Sequence, residues 1–311
     1  MNGKRLSKTY VVVFLAVICC ILWGSATPTI KVGYTLFRIE SGDTMSRILF
    51  AGIRFTLAGI LTIIFGSVGN GGFLLPGKKS FRMVLMLALF QTVIQYVLFY
   101  LGLANTTGTK GAIISGMASF FAVLISCLIF RMEKLTLLKV IGCIVGFAGI
   151  VVLNLSGDFT LDFKASGEGA LILATVSYAL SSVLIKKYSK YENPVTLSGW
   201  QFVAGGLAMT AAAYALGGRL NPGNGRAWLL ILYLAFVSAT AYSLWGLLLK
   251  YNSVSRITTF SFLTPVFGVI LSIVLLNESI NALQCVTALV LVCTGIILVN
   301  RSQDRNNDST V

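Results

Sequence analysis

Apolar residues run along this chain in blocks of about twenty, each closed by a short polar or glycine-rich stretch. Within a block the residues show neither the alternation of a half-buried strand nor the single stripe of a soluble helix; they are apolar nearly all round. A helix of roughly 20 such residues crosses the hydrocarbon core of a bilayer. On that basis the pattern predicts ten spans, near 10–30, 47–67, 82–103, 109–130, 136–155, 168–186, 195–216, 227–249, 257–276 and 282–300. The connections are short and leave no room for a soluble domain. The predicted fold class is therefore an all-α integral membrane protein with ten transmembrane helices, followed by a polar tail over 302–311.

Composition agrees with the pattern. The chain has 311 residues, of which 56% are hydrophobic and only 11% charged, against about a quarter charged in a soluble domain. Its mean hydropathy is +0.87. A net charge of +14 would suggest nucleic-acid binding in a soluble protein. Here the Lys and Arg residues lie between the apolar runs, so no nucleic-acid partner is expected and the lipid bilayer takes that place. With the N-terminus inside, cytoplasmic segments hold more than twice as many basic residues as outer ones, among them Lys4, Arg5, Lys78, Lys79, Arg131, Lys134, Lys186, Lys187, Lys250 and Arg256. Asp158, Asp162 and Glu168 share one outer loop. This predicts a multi-pass protein of the cell (plasma or inner) membrane with both termini cytoplasmic. Residues 1–27 imitate a signal peptide, but the apolar core from Tyr10 to Trp23 is long for one, so a retained first helix is expected. All six cysteines fall in apolar runs without a CxxC pair, and there is no histidine. They read as small packing residues, and neither a metal site nor a cofactor is expected.

The chain also repeats itself. Residues 119–154 resemble 264–300, with Glu133 opposite Glu278 and "GIVVLN" opposite "GIILVN". Upstream, "FAGIRFTLAG" (50–59) lies over "LSGWQFVAGG" (197–206), placing Arg54 opposite Gln201; "WGSATPTIK" (23–31) lies more faintly over "YALSSVLIK" (178–186). Two five-helix units follow, 1–156 and 157–301. Five is odd, so the second must enter the bilayer from the opposite face. Inverted repeats of this kind characterise secondary transporters, whose pseudosymmetry lets one site face either side.

Trp23-Gly24 in the first helix, Arg54-Phe55 in the second, Pro265 in the ninth and the Glu-then-Gly-rich helix of each half resemble the EamA branch of the drug/metabolite transporter superfamily. The resemblance covers essentially the whole chain, as two copies of that domain. It implies a ten-helix secondary carrier, commonly an exporter of amino acids or other small metabolites. One departure stands out: where the ninth helix has Pro265, the fourth has Ala118, so the break signal of the ninth helix lacks a counterpart in the fourth.

Candidate chemistry is sparse. No Asp or Glu falls mid-span, which argues against a relay of buried carboxylates. Glu133 and Glu278 sit at interfaces just before apolar helices and read as structural charges favouring the helix dipole. The pattern is compatible with coupling through backbone carbonyls, through Glu133 or Glu278, or with no coupling ion. Arg54 is the charge well inside a span, with snorkelling to the outer interface available to it. It reads first as a clamp onto backbone carbonyls or the end of the first helix, since intramembrane charges usually pair within the protein, and second as an anion anchor.

Gln91 and Gln95, at i and i+4, share a face of the third helix, and an unpaired amide in lipid costs several kcal/mol. They are expected to line the passage. Their repeat partners are Ser238 and Tyr242, with Trp245 one turn on. Ser115, Ser119, Tyr178, Ser181, Ser182, Ser261 and Thr264 offer further polar positions, each single hydroxyl reading equally as interhelical packing. In the first helix, Pro28 removes a donor opposite Gly24, and Thr27 and Thr29 stand ready to bond the freed carbonyl; this predicts a kinked, partly broken helix at the substrate site, with Trp23 as an aromatic wall. A plain proline kink is the other reading.

The expected function is transport of a small-molecule substrate, an amphipathic metabolite such as an amino acid, outward and by alternating access. The alternative is a phosphorylated-metabolite or nucleotide-sugar carrier, which the lack of clustered buried cations disfavours. An intramembrane enzyme lacks mid-span His, Asp and Glu, a scaffold or receptor does not need the inverted duplication, and ATP driving lacks a GxxxxGK[ST] loop.

Overall fold

A computed structural model describes residues 3–106, 108–154, 163–276 and 282–308. After a single turn at Gly3–Leu6, ten long helices follow. They are α1 (Thr9–Leu36), α2 (Thr44–Asn70), α3 (Ser80–Asn105), α4 (Lys110–Ile129), α5 (Leu137–Asn154), α6 (Ala165–Tyr188), α7 (Pro194–Ala215), α8 (Gly225–Tyr251), α9 (Val254–Thr258 continuing through Leu263–Leu276) and α10 (Ala282–Asp308). Nine of them, among the described residues, are long and apolar enough to cross a membrane. The exception is α7, whose 22 residues span about 33 Å but are diluted by Gly, Ala, Ser and Thr. Its lower hydropathy fits its place: it is buried against α2 rather than bathed in lipid. Large side chains such as Phe14, Phe65, Val68, Leu229 and Val290 point outward instead, an apolar surface suited to lipid chains. Helix α10 runs to Asp308, so much of the polar tail is helical rather than irregular.

The packing repeats the sequence. Helix α1 packs on α8 and α9 as α6 packs on α3 and α4, α2 packs on α8 as α7 does on α3, and α2–α7 and α5–α10 each pair an element with its own counterpart. Exchanging the halves leaves this set unchanged. The protein is thus an all-α membrane protein of two inverted five-helix repeats related by a pseudo-two-fold axis.

The seam on that axis is made by glycine. A Cβ on Gly59 would stand 2.6 Å from the Val203 backbone nitrogen, and one on Gly206 would stand 2.5 Å from that of Thr56. Thr56 and Val203 are repeat partners, as are Gly59 and Gly206, so the two contacts are one contact seen from both halves. Small residues here let two backbones touch, which is how helices associate where lipid removes the usual hydrophobic drive.

Two expectations about helix breaks change. Helix α1 stays α-helical through Pro28, and the Thr29 hydroxyl donates to the Ser25 carbonyl, not to the freed Gly24 carbonyl, which faces Gly268 of α9. No unwound segment forms there, because α9 covers the gap. The real breaks are paired: α4 is interrupted at Met117 and α9 tightens to a 3₁₀ turn over Thr259–Phe262, at equivalent levels of the two halves. The Ser119 hydroxyl donates to the Thr258 carbonyl at 2.7 Å and lies 2.7 Å from the Ser261 hydroxyl, while the Cys20 thiol donates to the Phe260 carbonyl at 3.2 Å. Side chains across the crossing therefore satisfy carbonyls released by the break. Proline is not needed for it, since α4 breaks at Met117 with no proline in the helix.

Candidate functional site

At mid-depth the two halves meet in a continuous set of aromatic rings. Phe55 of α2 stacks on its repeat partner Phe202 of α7, with centroids 5.2 Å apart and planes inclined by 17°. Phe55 also meets Tyr96 of α3 at 4.4 Å, and Phe202 meets Tyr242 of α8 at 4.9 Å. The Tyr96 and Tyr242 hydroxyls close the ring of contacts at 3.2 Å. Trp23 of α1 stands edge-on to both Tyr242 (5.1 Å) and Trp245 (4.9 Å), and Tyr178 of α6, its repeat counterpart, packs into the same cluster. Each half thus contributes an aromatic residue from its first, second and third helix. Edge-to-face and offset pairs of this kind are worth about 0.5–1.5 kcal/mol each beyond their buried area.

The helices that carry these rings also carry polar groups without partners. The Gln91 Oε1, Gln95 Oε1, Gln201 Nε2, Trp23 Nε1 and Trp245 Nε1 atoms are all buried and unbonded. Gln91 lies within a π-helical stretch, Ala88–Ile94, and Gln95 begins the α-helical turn that follows. Such π segments recur at functional sites because they re-aim the side chains they carry. An orphaned buried polar atom costs about 1–3 kcal/mol, so each of these groups favours a polar partner when one is supplied.

Arg54 is 3% exposed. Ten residues separate it from the start of α2 at Thr44, about 15 Å along the axis, too deep to snorkel. Its Nε and Nη2 donate to the Ser238 hydroxyl of α8 at 3.2 and 2.8 Å, and Ser238 donates in turn to the Leu234 carbonyl. The guanidinium also lies over the Phe55 ring at 5.0 Å. The expected clamp onto backbone carbonyls or the end of α1 is therefore replaced by a hydroxyl on the other half, because the inward rotamer meets α8 before it meets any free carbonyl. On α7, Gln201 accepts from the Thr92 hydroxyl of α3 at 2.7 Å. The Arg54–Ser238 and Gln201–Thr92 links are counterparts: second helix to eighth, seventh to third.

Of the other candidate residues, Pro28 is buried in α1 and Thr27 is exposed on it, outside the ring cluster. Ser261 is engaged at the α4–α9 crossing, and Thr264 lies beside the Cys20 thiol near the same crossing. Ser238 is committed to Arg54. The structure gathers Trp23, Tyr178, Tyr242 and Trp245 in one cluster, carries Gln91 and Gln95 on the helix that supplies Tyr96 to it, and leaves Thr27, Ser261 and Thr264 out of it. Tyr96, Phe202 and Thr92 were passed over in the sequence, although Phe202 is the repeat partner of Phe55 and carried a readable signal.

Glu133, at the loop between α4 and α5, has a different place. It receives the Ser126 hydroxyl and the Ser255 backbone N–H, each at 3.2 Å, and the Lys139 ammonium at 2.9 Å. Burial pushes its pKa up, but Lys139 and the Ser255 hydrogen bonds outweigh that and hold the carboxyl below its ordinary range. It is a strap between the first half and the start of α9. Glu278 lies outside the described residues.

An inverted-repeat membrane protein with a polar, aromatic site on its two-fold axis has the form of a transporter. Residues 11–155 and 165–301 each match the EamA-like transporter family, and the chain belongs to that family. It is 25% identical to the uncharacterized transporter YvbV of Bacillus subtilis over 96% of this chain and 93% of that one. A Salmonella typhimurium protein named "Probable amino-acid metabolite efflux pump" is 25% identical over 92% of this chain and 93% of its own. A chloroplastic WAT1-related protein of Arabidopsis thaliana is 27% identical, with 80% of this chain matching 62% of that longer protein. A solved crystal structure superposes with a TM-score of 0.77 over 96% of this chain and 99% of the other, at 18% identity, and so shares the fold. The Bacillus subtilis and Salmonella typhimurium relatives are named as a transporter and an efflux pump, not as enzymes. The protein is a multi-pass membrane transporter of small molecules.

Proposed function

We propose that the protein exports small amphipathic metabolites, amino acids being the class that fits best, by alternating access. The observation that carries this reading is the site on the two-fold axis, where rings from both halves meet and the helices that carry them also hold five buried polar atoms without partners. Aromatic faces suit an apolar body, and the unpartnered Gln oxygens and indole N–H groups suit a polar head. Every wall of the site belongs to one half or the other, so rocking the halves about the glycine seam parts the rings toward one face at a time. The outward direction is supported by the relative named as an efflux pump. A phosphorylated solute fits less well. Arg54 lies over Phe55, while the other arginine near this cluster, Arg47, lies over Tyr34 and does not join it in a paired clamp of the kind a phosphate dianion calls for.

The test is transport by purified protein in proteoliposomes, screened over apolar, polar and charged amino acids with and without a proton gradient. Saturable movement of apolar amino acids is expected. Movement of sugar phosphates alone would overturn the proposal.

A further inference from the structure

We infer that Arg54 is the anchor for a carboxylate on the transported solute, which narrows the substrate class to small carboxylic acids with an apolar body. The inference rests on the transport reading above and specifies how its site selects. Three observations carry it.

Arg54 carries a guanidinium group, is 3% exposed, lies well inside the span of α2, and is hydrogen-bonded to one neutral hydroxyl. Among the described residues no carboxylate pairs with it; the ion pairs there are Lys110–Glu168 and Lys139–Glu133. Intramembrane cations are normally matched by an anion or by several carbonyls. Ser238 occupies the Nε–Nη2 edge of the guanidinium, and Nη1 makes no bond, so a second edge is available for the forked pairing that arginine makes with carboxylates.

The fold does not need charge at this position. Gln201 stands at the equivalent place in the other half and makes the equivalent link, to Thr92, as a neutral amide. A purely structural clamp is thus already built there without a cation. The difference between Arg54 and Gln201 makes the site one-sided, with a positive pole toward α2 and α8.

The surroundings suit an amino acid lying against that pole. Phe55 links the guanidinium to the ring cluster through Tyr96, and the unpartnered Gln91 and Gln95 oxygens are acceptors for an ammonium group. The indoles and phenyl rings are left for the side chain.

The experiment compares leucine, leucinamide and 3-methylbutylamine, three solutes with the same apolar body, in counterflow assays with the wild type, Arg54→Lys and Arg54→Gln. Wild-type protein should move leucine at least tenfold faster than either analogue without a carboxylate. Arg54→Lys should keep part of that preference. Arg54→Gln should lose at least tenfold in leucine transport and retain the amide rate, leaving the preference abolished. Gel filtration and thermal melting check that the variants fold. Should Arg54→Gln fail to fold, the wild-type ratio and Arg54→Lys still decide. Equal wild-type rates for the acid and the amine overturn the anchor and leave amphipathic transport standing, as does an unchanged preference in Arg54→Gln. No movement of any of the three overturns the transport reading for apolar amino acids, and the anchor falls with it.

Discussion

Glu133 and Lys139 illustrate how a single residue acts on this molecule. The Lys139 side chain is 1% exposed and its ammonium is matched by one carboxylate. Removing one member of a buried pair leaves the other uncompensated and costs about 3–5 kcal/mol. Glu133→Gln should therefore lower the melting temperature sharply, and pairing it with Lys139→Met should restore much of the loss. The pH dependence has a definite sign. The carboxyl is held below its usual value, so its stabilisation is fully present above the ordinary glutamate pKa of about 4.3 and is lost as pH falls through the lower folded value. Stability measured in detergent should be flat from about pH 5 to 8 in this respect and fall only in stronger acid. Gln91 and Gln95 predict the reverse pattern. Their carbonyl oxygens have no partner, so Gln91→Leu with Gln95→Leu should hold or raise the melting temperature while reducing transport at least tenfold. Unchanged transport would remove both glutamines from the site.

Among the elements, hydrophobic pattern alone located most helix ends to within a few residues, because length and apolarity are what a bilayer demands of any span; α1 and α10 continue past their expected ends, to Leu36 and Asp308. It did not reveal their irregularities. Pro28 is the loudest local signal in the sequence and leaves α1 helical, since the neighbouring α9 accommodates the bend. The breaks in α4 and α9 carry little local signal because they are set by the crossing itself, where Ser119 and Cys20 take up released carbonyls. The α2–α7 contact is the element-level feature most open to test. Val203 N lies 2.6 Å from where a Cβ on Gly59 would be, and backbone cannot yield as a side chain does. Gly59→Ala should cost about 1–3 kcal/mol, as overpacking commonly does, and Gly206→Ala should cost a similar amount because it is the same contact from the other half. Unfolding in graded denaturing detergent measures both.

For the whole molecule, an odd number of spans in each repeat requires the halves to thread in opposite directions, and the helix contacts are symmetric under their exchange. Gly42 in the α1–α2 loop and Lys190 in the α6–α7 loop occupy equivalent places in the two repeats and should lie on opposite faces. In a cysteine-free background, Gly42→Cys and Lys190→Cys should label with a membrane-impermeant maleimide from opposite sides of intact cells. Labelling of both from one side would contradict the inverted architecture. The same symmetry explains why the site forms at the axis. Phe55 and Phe202, equivalent in sequence, can touch only where the two-fold relation brings a residue onto its own counterpart.

The sequence by itself determined the membrane, the ten spans, the duplication and its inversion, because each follows from counting: residues per span, spans per repeat, apolar atoms per turn. It also singled out Trp23, Gln91, Gln95, Arg54 and Tyr242 as chemically out of place in lipid. Only the tertiary structure decided what those residues meet. That Arg54 turns to Ser238 and not to a backbone carbonyl, that Tyr96 reaches Tyr242, and that Ser261 is spent on a helix crossing all depend on which helix faces stand opposite across the two-fold axis. Helical periodicity specifies the face a residue shares with its own helix, and packing between halves alone specifies the face it encounters.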